Sequence, residues 1–302
     1  MKAHNFLEKK GLDFEIVRQD NPTKSCDDAA KERGVETSQI VKSLIVEKHE
    51  EKGLKEGELI HVLLPGDSEI SEKKFGESHL IPPEKSKKLT GFESGTVHPF
   101  STEIKHVIDY RVLENSKVSF TVGEQLRGVI IDTEEFREGL DKSGFEYQIK
   151  DISLTDQRDI EKLEETGLEE GDAKFIADKG LSPLYLELDH DSEEVVKAFQ
   201  ELLRHDITPK KEVVEEIIDA SDNLNHLQKL VEEYAETGKI TDSGSFELEK
   251  VIEEIFDDHP EALEDLQEGK DSVENFVIGL VMQKTSGKAR PNKVKEVLEN
   301  EY

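Results

Sequence analysis

The chain has 302 residues, 36% of them charged, and its 70 acidic against 40 basic side chains give a formal net charge of −30. That length holds two or more domains with cores of their own, and because apolar residues recur periodically beside capping signals from end to end, the acidity points to a high-salt cytoplasm that screens self-repulsion rather than to disorder. A single cysteine, Cys26, rules out an internal disulfide and fits a reducing compartment, while the first residues lack an apolar signal core and no later run approaches the ~20 apolar residues that span a bilayer, so a cytoplasmic protein is expected.

An opening helix leads to a strand near residues 14–17. Ser25 is placed to cap a short helix over 26–33 that stops at Gly34. Cys26 falls in its first turn, where a helix dipole lowers a thiol pKa, but no base is placed to partner it and a catalytic thiol is not expected. The next stretch, Thr37-Ser38-Gln39-Ile40-Val41-Lys42-Ser43-Leu44-Ile45-Val46, is apolar and β-branched apart from Lys42 and Ser43, the pattern of a strand covered on both faces. An ammonium there must snorkel to water, pair with a carboxylate, or meet an anionic ligand.

A charged segment at 49–58 and a second apolar strand at 59–64 follow, the strand halted by Pro65-Gly66. Helices at 71–76 and 83–89 precede Thr90-Gly91-Phe92-Glu93-Ser94-Gly95-Thr96-Val97-His98-Pro99-Phe100, in which Gly95 and Pro99 bracket three residues. Glycine lets a backbone approach a ligand closely and proline stiffens the exit, so such a loop can aim main-chain N–H groups at an oxyanion or a water. Strands at 105–110, 117–122 and 128–132 come next, then a helix over 134–140 capped by Thr133. Mixed strands and helices around one sheet make this part an α/β or α+β domain with a mixed sheet. His98 and His106 have no third ligand at a recognisable spacing, so no metal site is expected.

Together these stretches resemble the YbaK family of aminoacyl-tRNA deacylases, relatives of the prolyl-tRNA synthetase editing domain. The likeness runs over 14–140, through Ala29-Ala30, Gly34-Val35, Ile40 to Leu44, Pro65-Gly66-Asp67, Leu89-Thr90-Gly91, Gly95 to Phe100, Asp109 and Gly123. It implies hydrolysis of the ester between a wrong amino acid and the terminal adenosine of a tRNA, with Lys42, Gly95 and Pro99 as the catalytic set and Thr96, His98, Asp109 and Gly123 around the substrate. Lys42 would pair with a phosphate or hydroxyl near the acceptor end, and Gly95 with its neighbours would polarise the ester or position water. No Ser-His-Asp or Cys-His set is recognisable, so no covalent intermediate and no cofactor are expected. Thr96 departs from the small residue usual after the glycine, which leaves the amino acid open.

From Asp141 strand signals nearly vanish and acidic helices take over, at 154–166, 169–178, 192–205, 209–220 and 224–236. Residues 141–273 carry 39 acids against 14 bases, whereas 274–302 carry four acids against five bases. Thr208-Pro209 reads as an N-cap with proline at the first helical position, ahead of an apolar stripe of Val213, Val214, Ile217 and Ile218. In so acidic a chain, the basic residues around Gly287 and Pro291 form a candidate polyanion contact. The stretch Gly279-Leu280-Val281-Met282-Gln283-Lys284-Thr285-Ser286-Gly287-Lys288-Ala289-Arg290-Pro291 resembles the GatB/YqeY tail of the tRNA-dependent amidotransferase B subunit, with a final helix at 292–299 turning Val294, Val297 and Leu298 inward. Nothing in the chain supplies the catalytic half of that subunit.

The expected organisation is an editing domain at 1–140, an acidic helical region at 141–207, and an all-α tail at 208–302. The resemblance at the back implies that Lys284, Lys288, Arg290 and Lys293 grip the body of a tRNA. The expected partners are a mischarged tRNA and an aminoacyl-tRNA synthetase or amidotransferase subunit, not a membrane or DNA. Two ends pointing at one ligand favour a trans-editing deacylase over a non-catalytic tRNA-binding adaptor in an amidotransferase or synthetase complex.

Overall fold

The computed structural model describes residues 1–23, 25–48, 57–221, 223–240, 248–267, 271–285, 289, 294–295 and 297–298. Contacts divide the chain into two units, Met1–Pro183 and Leu184–Tyr302.

The first unit runs α1 (Ala3–Lys10), β1 (Glu15–Arg18), α2 (Cys26–Arg33), β2 (Val41–Lys48), β3 (Glu58–Pro65), α3 (Glu72–Phe75), β4 (Ser78–Leu80), α4 (Pro83–Thr90), β5 (His106–Asp109), β6 (Lys117–Thr121), β7 (Arg127–Asp132), α5 (Thr133–Asp141), β8 (Tyr147–Lys150), α6 (Gln157–Glu164) and α7 (Glu170–Asp178). A mixed sheet has the order β4-β2-β3-β5-β8, and a second sheet the order β1-β7-β6. In the first, β2 lies antiparallel to β3 and β4, while β5 runs parallel to β3 and β8. A parallel bridge between Ile40 and Ser119 links the two sheets at the start of β2.

Aromatic side chains make the larger core. Phe6 of α1 stacks on Phe100 at 4.4 Å, and Phe120 and Phe136 meet Phe100 edge-on at 5.9 and 5.8 Å. A second core, with Val46, Ile60, Val62, Leu64, Phe75, Val107 and Ile152, fills the other face of the mixed sheet. The apolar run read as β2 is half-buried over Lys42 to Leu44 rather than covered on both faces, because β4 pairs only with its far end, Val46 to Lys48.

β8 is a strand that the sequence pattern does not announce. Its residues are half-buried or exposed and it sits at the sheet edge, so no apolar alternation marks it. Asp109 explains how the chain is held beyond it: the buried carboxylate accepts from the N–H groups of Ile152 and Ser153 at 3.0 and 2.9 Å, from Ser153 Oγ at 2.7 Å, and from the Arg111 N–H at 3.1 Å.

In the second unit, after α8 (Ser182–Leu186), come α9 (Ser192–Arg204), α10 (Lys211–Ala220), α11 (Leu224–Thr237), α12 (Leu248–Asp258), α13 (Pro260–Gln267) and α14 (Asp271–Lys284). α9 packs on α10 and α11, and α12 to α14 share a core to which Val294 and Leu298 add buried side chains and Val297 a partly buried one. α10 begins at Lys211 with Lys210 as an uncapped N-cap, two residues later than Thr208-Pro209 suggests. Thr133 likewise opens α5 rather than capping it, its hydroxyl donating to the Asn115 carbonyl. No helix among the described residues is long and apolar enough to cross a membrane.

Candidate active site

The site is built on α2 and β2. Ser25 accepts from the Asp28 N–H at 3.1 Å, which fixes the start of α2, and Gly34 ends it at φ 68°. The chain then enters β2, whose free edge is held at one end by the Ile40–Ser119 bridge and at the other by β4, with the Ile81 N–H donating to the Ile45 carbonyl at 3.1 Å. Between these supports, Lys42 to Leu44 has no strand partner on that edge among the described residues. Alternation along an antiparallel strand turns the main-chain N–H and C=O of Ser43 to the same side as those of Ile45, toward the gap.

A cleft of about 600 Å³ opens there, lined by Cys26, Arg33, Lys42, Ser43, Ser94 and Gly95 and walled by apolar side chains that include Ile40, Ile81 and Phe120. Lys42 Nζ donates to the Ser68 carbonyl at 2.7 Å, and no carboxylate among the described residues forms an ion pair with it. Ser43 Oγ is buried without a hydrogen-bond partner among the described residues. The Cys26 thiol is pushed up by burial, which Lys42 and Arg33 partly offset, so it stays protonated near neutrality.

Across the cleft stands the glycine loop. The Thr96 N–H and its hydroxyl both donate to the Glu93 carbonyl at 2.9 Å, closing a turn over Ser94 and Gly95. Gly95 has φ 81°, the positive value that the third position of a type II turn takes and that glycine adopts without strain. The loop is anchored behind: Phe92 packs edge-on against His98 at 4.8 Å, and a Cβ at Gly123 would come within 2.3 Å of the Phe92 ring.

The structure therefore brings Lys42 and Gly95 to one cleft and places the other predicted residues behind it. Thr96 locks the turn and Gly123 makes room for Phe92. The Pro99 carbonyl lies 3.0 Å from His106 Nε2. His98 is buried, its Nδ1 accepting from the Phe100 N–H at 3.2 Å and its Nε2 donating to the Met1 carbonyl at 3.0 Å, and burial pushes its pKa down to about 4. A neutral, fully bonded imidazole positions the loop and does not exchange protons near neutrality. Asp109 holds the chain after β8 and is absent from the cleft lining. Among the described residues there is no group of three or more His, Cys, Asp or Glu that could hold a metal ion.

Sequence reasoning missed Ser43 and Arg33. Ser43 was visible as a polar break in an apolar strand and as part of the Ile40 to Leu44 likeness, but with no role of its own. Arg33 ends α2, where a basic residue reads as a partner of the helix dipole.

In the second unit, Lys284 Nζ lies 2.9 Å from Glu254 Oε2 and 3.8 Å from Asp258 Oδ2, and these two carboxylates raise its pKa. The Thr285 hydroxyl donates to the Val281 carbonyl at 2.7 Å and accepts from the Ala289 N–H at 3.3 Å. Lys288, Arg290 and Lys293 lie outside the described residues.

Known families divide along the same two parts. Residues 20–138 match the model of the aminoacyl-tRNA editing domain, so the first unit carries a domain of that family. Residues 181–301 match the GatB domain, which accounts for the helical second unit. Among curated proteins, the chain is similar to the B subunit of the aspartyl/glutamyl-tRNA(Asn/Gln) amidotransferase of Clostridium tetani, 29% identical over 150 residues, 46% of this chain and 30% of that protein. The same amidotransferase chain of Limosilactobacillus fermentum is 41% identical over 61 residues, 20% of this chain and 13% of that protein. The chain spans less than a third of the length of these curated relatives. Among solved structures, a hypothetical protein is 25% identical with a TM-score of 0.43, covering 51% of this chain and 100% of its own. A candidate trans-editing enzyme for prolyl tRNA synthetase is 24% identical with a TM-score of 0.42, covering 51% of this chain and 95% of its own.

Proposed function

We propose that the protein is a trans-acting deacylase that hydrolyses the ester of a mischarged tRNA, with its helical tail holding the body of the same tRNA. The observation that carries this is a pairing across one cleft of a domain matched to the aminoacyl-tRNA editing family. On one side is Lys42, an ammonium without a carboxylate partner among the described residues, and on the other the turn over Ser94 and Gly95, whose backbone N–H groups are the donors this reading calls on. In this mechanism Lys42 holds a phosphate or hydroxyl of the acceptor end as a point charge. The turn donates to the ester carbonyl oxygen as negative charge develops there, and water attacks the carbonyl carbon. The bond to the ribose oxygen then breaks, and that oxygen takes the proton that water gives up, leaving a free amino acid and a tRNA. With the Cys26 thiol protonated and His98 neutral and bonded, this mechanism takes water as the nucleophile and the substrate's own hydroxyl as the proton relay.

For the tail, the relatives' name carries aspartyl- and glutamyl-tRNA, and a GatB domain fused to an editing domain would deliver such a tRNA to the cleft. The proposed limits are an editing domain at 1–140, an acidic helical region at 141–207 and a tRNA-binding tail at 208–302. One observation favours a second reading, a non-catalytic adaptor that docks on a synthetase or amidotransferase subunit: Lys284 is already engaged by Glu254 and Asp258. Deacylation of a panel of mischarged tRNAs by the pure protein in molar salt separates the two. Hydrolysis of any one ester that disappears in Lys42→Ala supports the deacylase; tRNA binding with every ester intact supports the adaptor.

A further inference from the structure

One wall of the cleft holds a cation that no acid among the described residues answers. Arg33 is 9% exposed. Its Nη1 donates to Ser119 Oγ at 3.2 Å, and that hydroxyl in turn donates to the Val129 carbonyl at 2.8 Å. Its Nε is buried without any hydrogen-bond partner among the described residues. The ionisable group that acts on it is the Cys26 thiol, not a carboxylate, and burial pulls the guanidinium down to about 10.

This isolation is unlike the other buried cations of the same unit. Lys74 meets Asp151 at 2.8 Å with both side chains buried, and Arg111 lies against Asp109, Asp151 and Asp159. In a chain with 70 acidic residues, a buried arginine without one among the described residues is conspicuous. An unpaired charge taken out of water destabilises a fold unless a partner arrives. The fold also makes room for it: a Cβ at Gly128 of β7 would come within 2.5 Å of Arg33 Nε.

Resting on the deacylase reading above, we propose that Arg33 selects the amino acid, taking the side-chain carboxylate of an aspartyl or glutamyl ester. The guanidinium fork matches a carboxylate bidentately, and an apolar surround that includes Ala29, Ile40 and Phe120 strengthens such a pair. A backbone phosphate is the other anion of an aminoacyl-tRNA, but it is strung between two sugars and needs an open approach. The half-buried Lys42 suits it better than a side chain nine-tenths buried. A carboxylate on a stalk of one or two methylenes can enter the recess. The neutral amides asparagine and glutamine would leave the Arg33 charge uncompensated and set their own NH₂ donors against it, which works against them as substrates.

The test charges one tRNA in turn with aspartate, glutamate, asparagine, glutamine and alanine, and follows deacylation by the whole protein and by Arg33→Met. The wild type should prefer an acidic ester over its amide by about 100-fold or more in kcat/KM, since a site built around a buried polar group strongly rejects an analogue that leaves it unpaired. In Arg33→Met that ratio should collapse toward one while the Tm rises, because an unpaired buried charge is replaced by an apolar side chain. Hydrolysis of alanyl ester without preference for acidic ones overturns the selectivity and leaves the deacylase standing. If every ester falls alike in Arg33→Met, so that the ratio survives, Arg33 holds the shared acceptor end and the proposal fails. A lower Tm in Arg33→Met makes Arg33 a structural cation and also overturns it. If no ester is hydrolysed by the wild type, the deacylase reading falls, and this one with it.

Discussion

Lys42 and His98 show how two residues of one motif set divide between the cleft and the scaffold behind it. Lys42 keeps its ammonium on the Ser68 main-chain carbonyl, so truncating it breaks no ion pair among the described residues. Lys42→Ala should therefore lower stability by at most about 3 kcal/mol, the upper end of what a hydrogen bond to a charged group contributes. The same change should cut single-turnover deacylation at least about 100-fold, and a Tm scan beside the kinetics checks both halves. A large Tm loss with activity intact would return Lys42 to the structural residues. His98 and His106 behave oppositely, each pushed by burial to about 4. A histidine whose folded pKa lies below its unfolded value contributes stability that is complete above about pH 6.5 and is lost as pH falls toward 4, at ~1.4 kcal/mol per pH unit for each ring. NMR should show both ring signals flat from neutrality to about pH 5 while exposed histidines titrate through their ordinary range; a midpoint near 6 for His98 would reopen an acid–base role.

At the scale of elements, the turn from Glu93 to Thr96 is the part most exposed to a single change. Gly95 sits at φ 81° and a Cβ there would meet nothing within 4 Å, so the cost of a β-branched replacement begins with strain in the backbone itself. Gly95→Val should abolish hydrolysis while tRNA affinity changes little, because N–H groups aimed at a developing oxyanion act on the transition state. Filter binding beside single-turnover rates tests this, and equal loss of both would make the turn a binding element. This loop, α2 and the apolar strands β2 and β3 were legible in the sequence because their signals are local: a serine cap, a glycine stop, a β-branched run, a glycine and a proline four residues apart. β8 was not, since a short edge strand paired in parallel draws its stability from β5, forty residues earlier, and not from its own pattern. Arg33 escaped for a related reason. What sets it apart is that no acid among the described residues pairs with it, and an absence in space leaves no mark on neighbouring residues. Thr96, Asp109 and Gly123 were legible as positions, but their bonds to the fold depend on partners that the chain brings together only on folding.

Over the whole molecule the charge is uneven, with 39 acids against 14 bases in residues 141–273 and five bases against four acids in 274–302. Repulsion within the acidic region is screened by salt, so the Tm should climb between low and molar salt, and a salt-independent Tm would remove the proposed high-salt adaptation. The tail is the harder test, because it decides whether the two units serve one ligand. If the tail grips the body of the tRNA and not the ester, as proposed, this grip stabilises ground state and transition state alike, and removing it should raise KM without lowering kcat. Lys284 is a poor probe for this, since reversing its charge would also repel Glu254 and Asp258. Charge reversal at Lys288, Arg290 and Lys293 is the cleaner experiment, and each phosphate no longer neutralised should make the salt dependence of binding shallower. On full-length mischarged tRNA the triple variant should show KM raised at least about tenfold with kcat within about twofold, and on an acceptor-stem mimic it should match the wild type. Equal damage on both substrates would mean that the tail supports the editing domain structurally. No damage on either would mean that these cations meet a protein, and the adaptor that docks on a synthetase or amidotransferase subunit would then explain why an editing domain and a GatB domain share one chain.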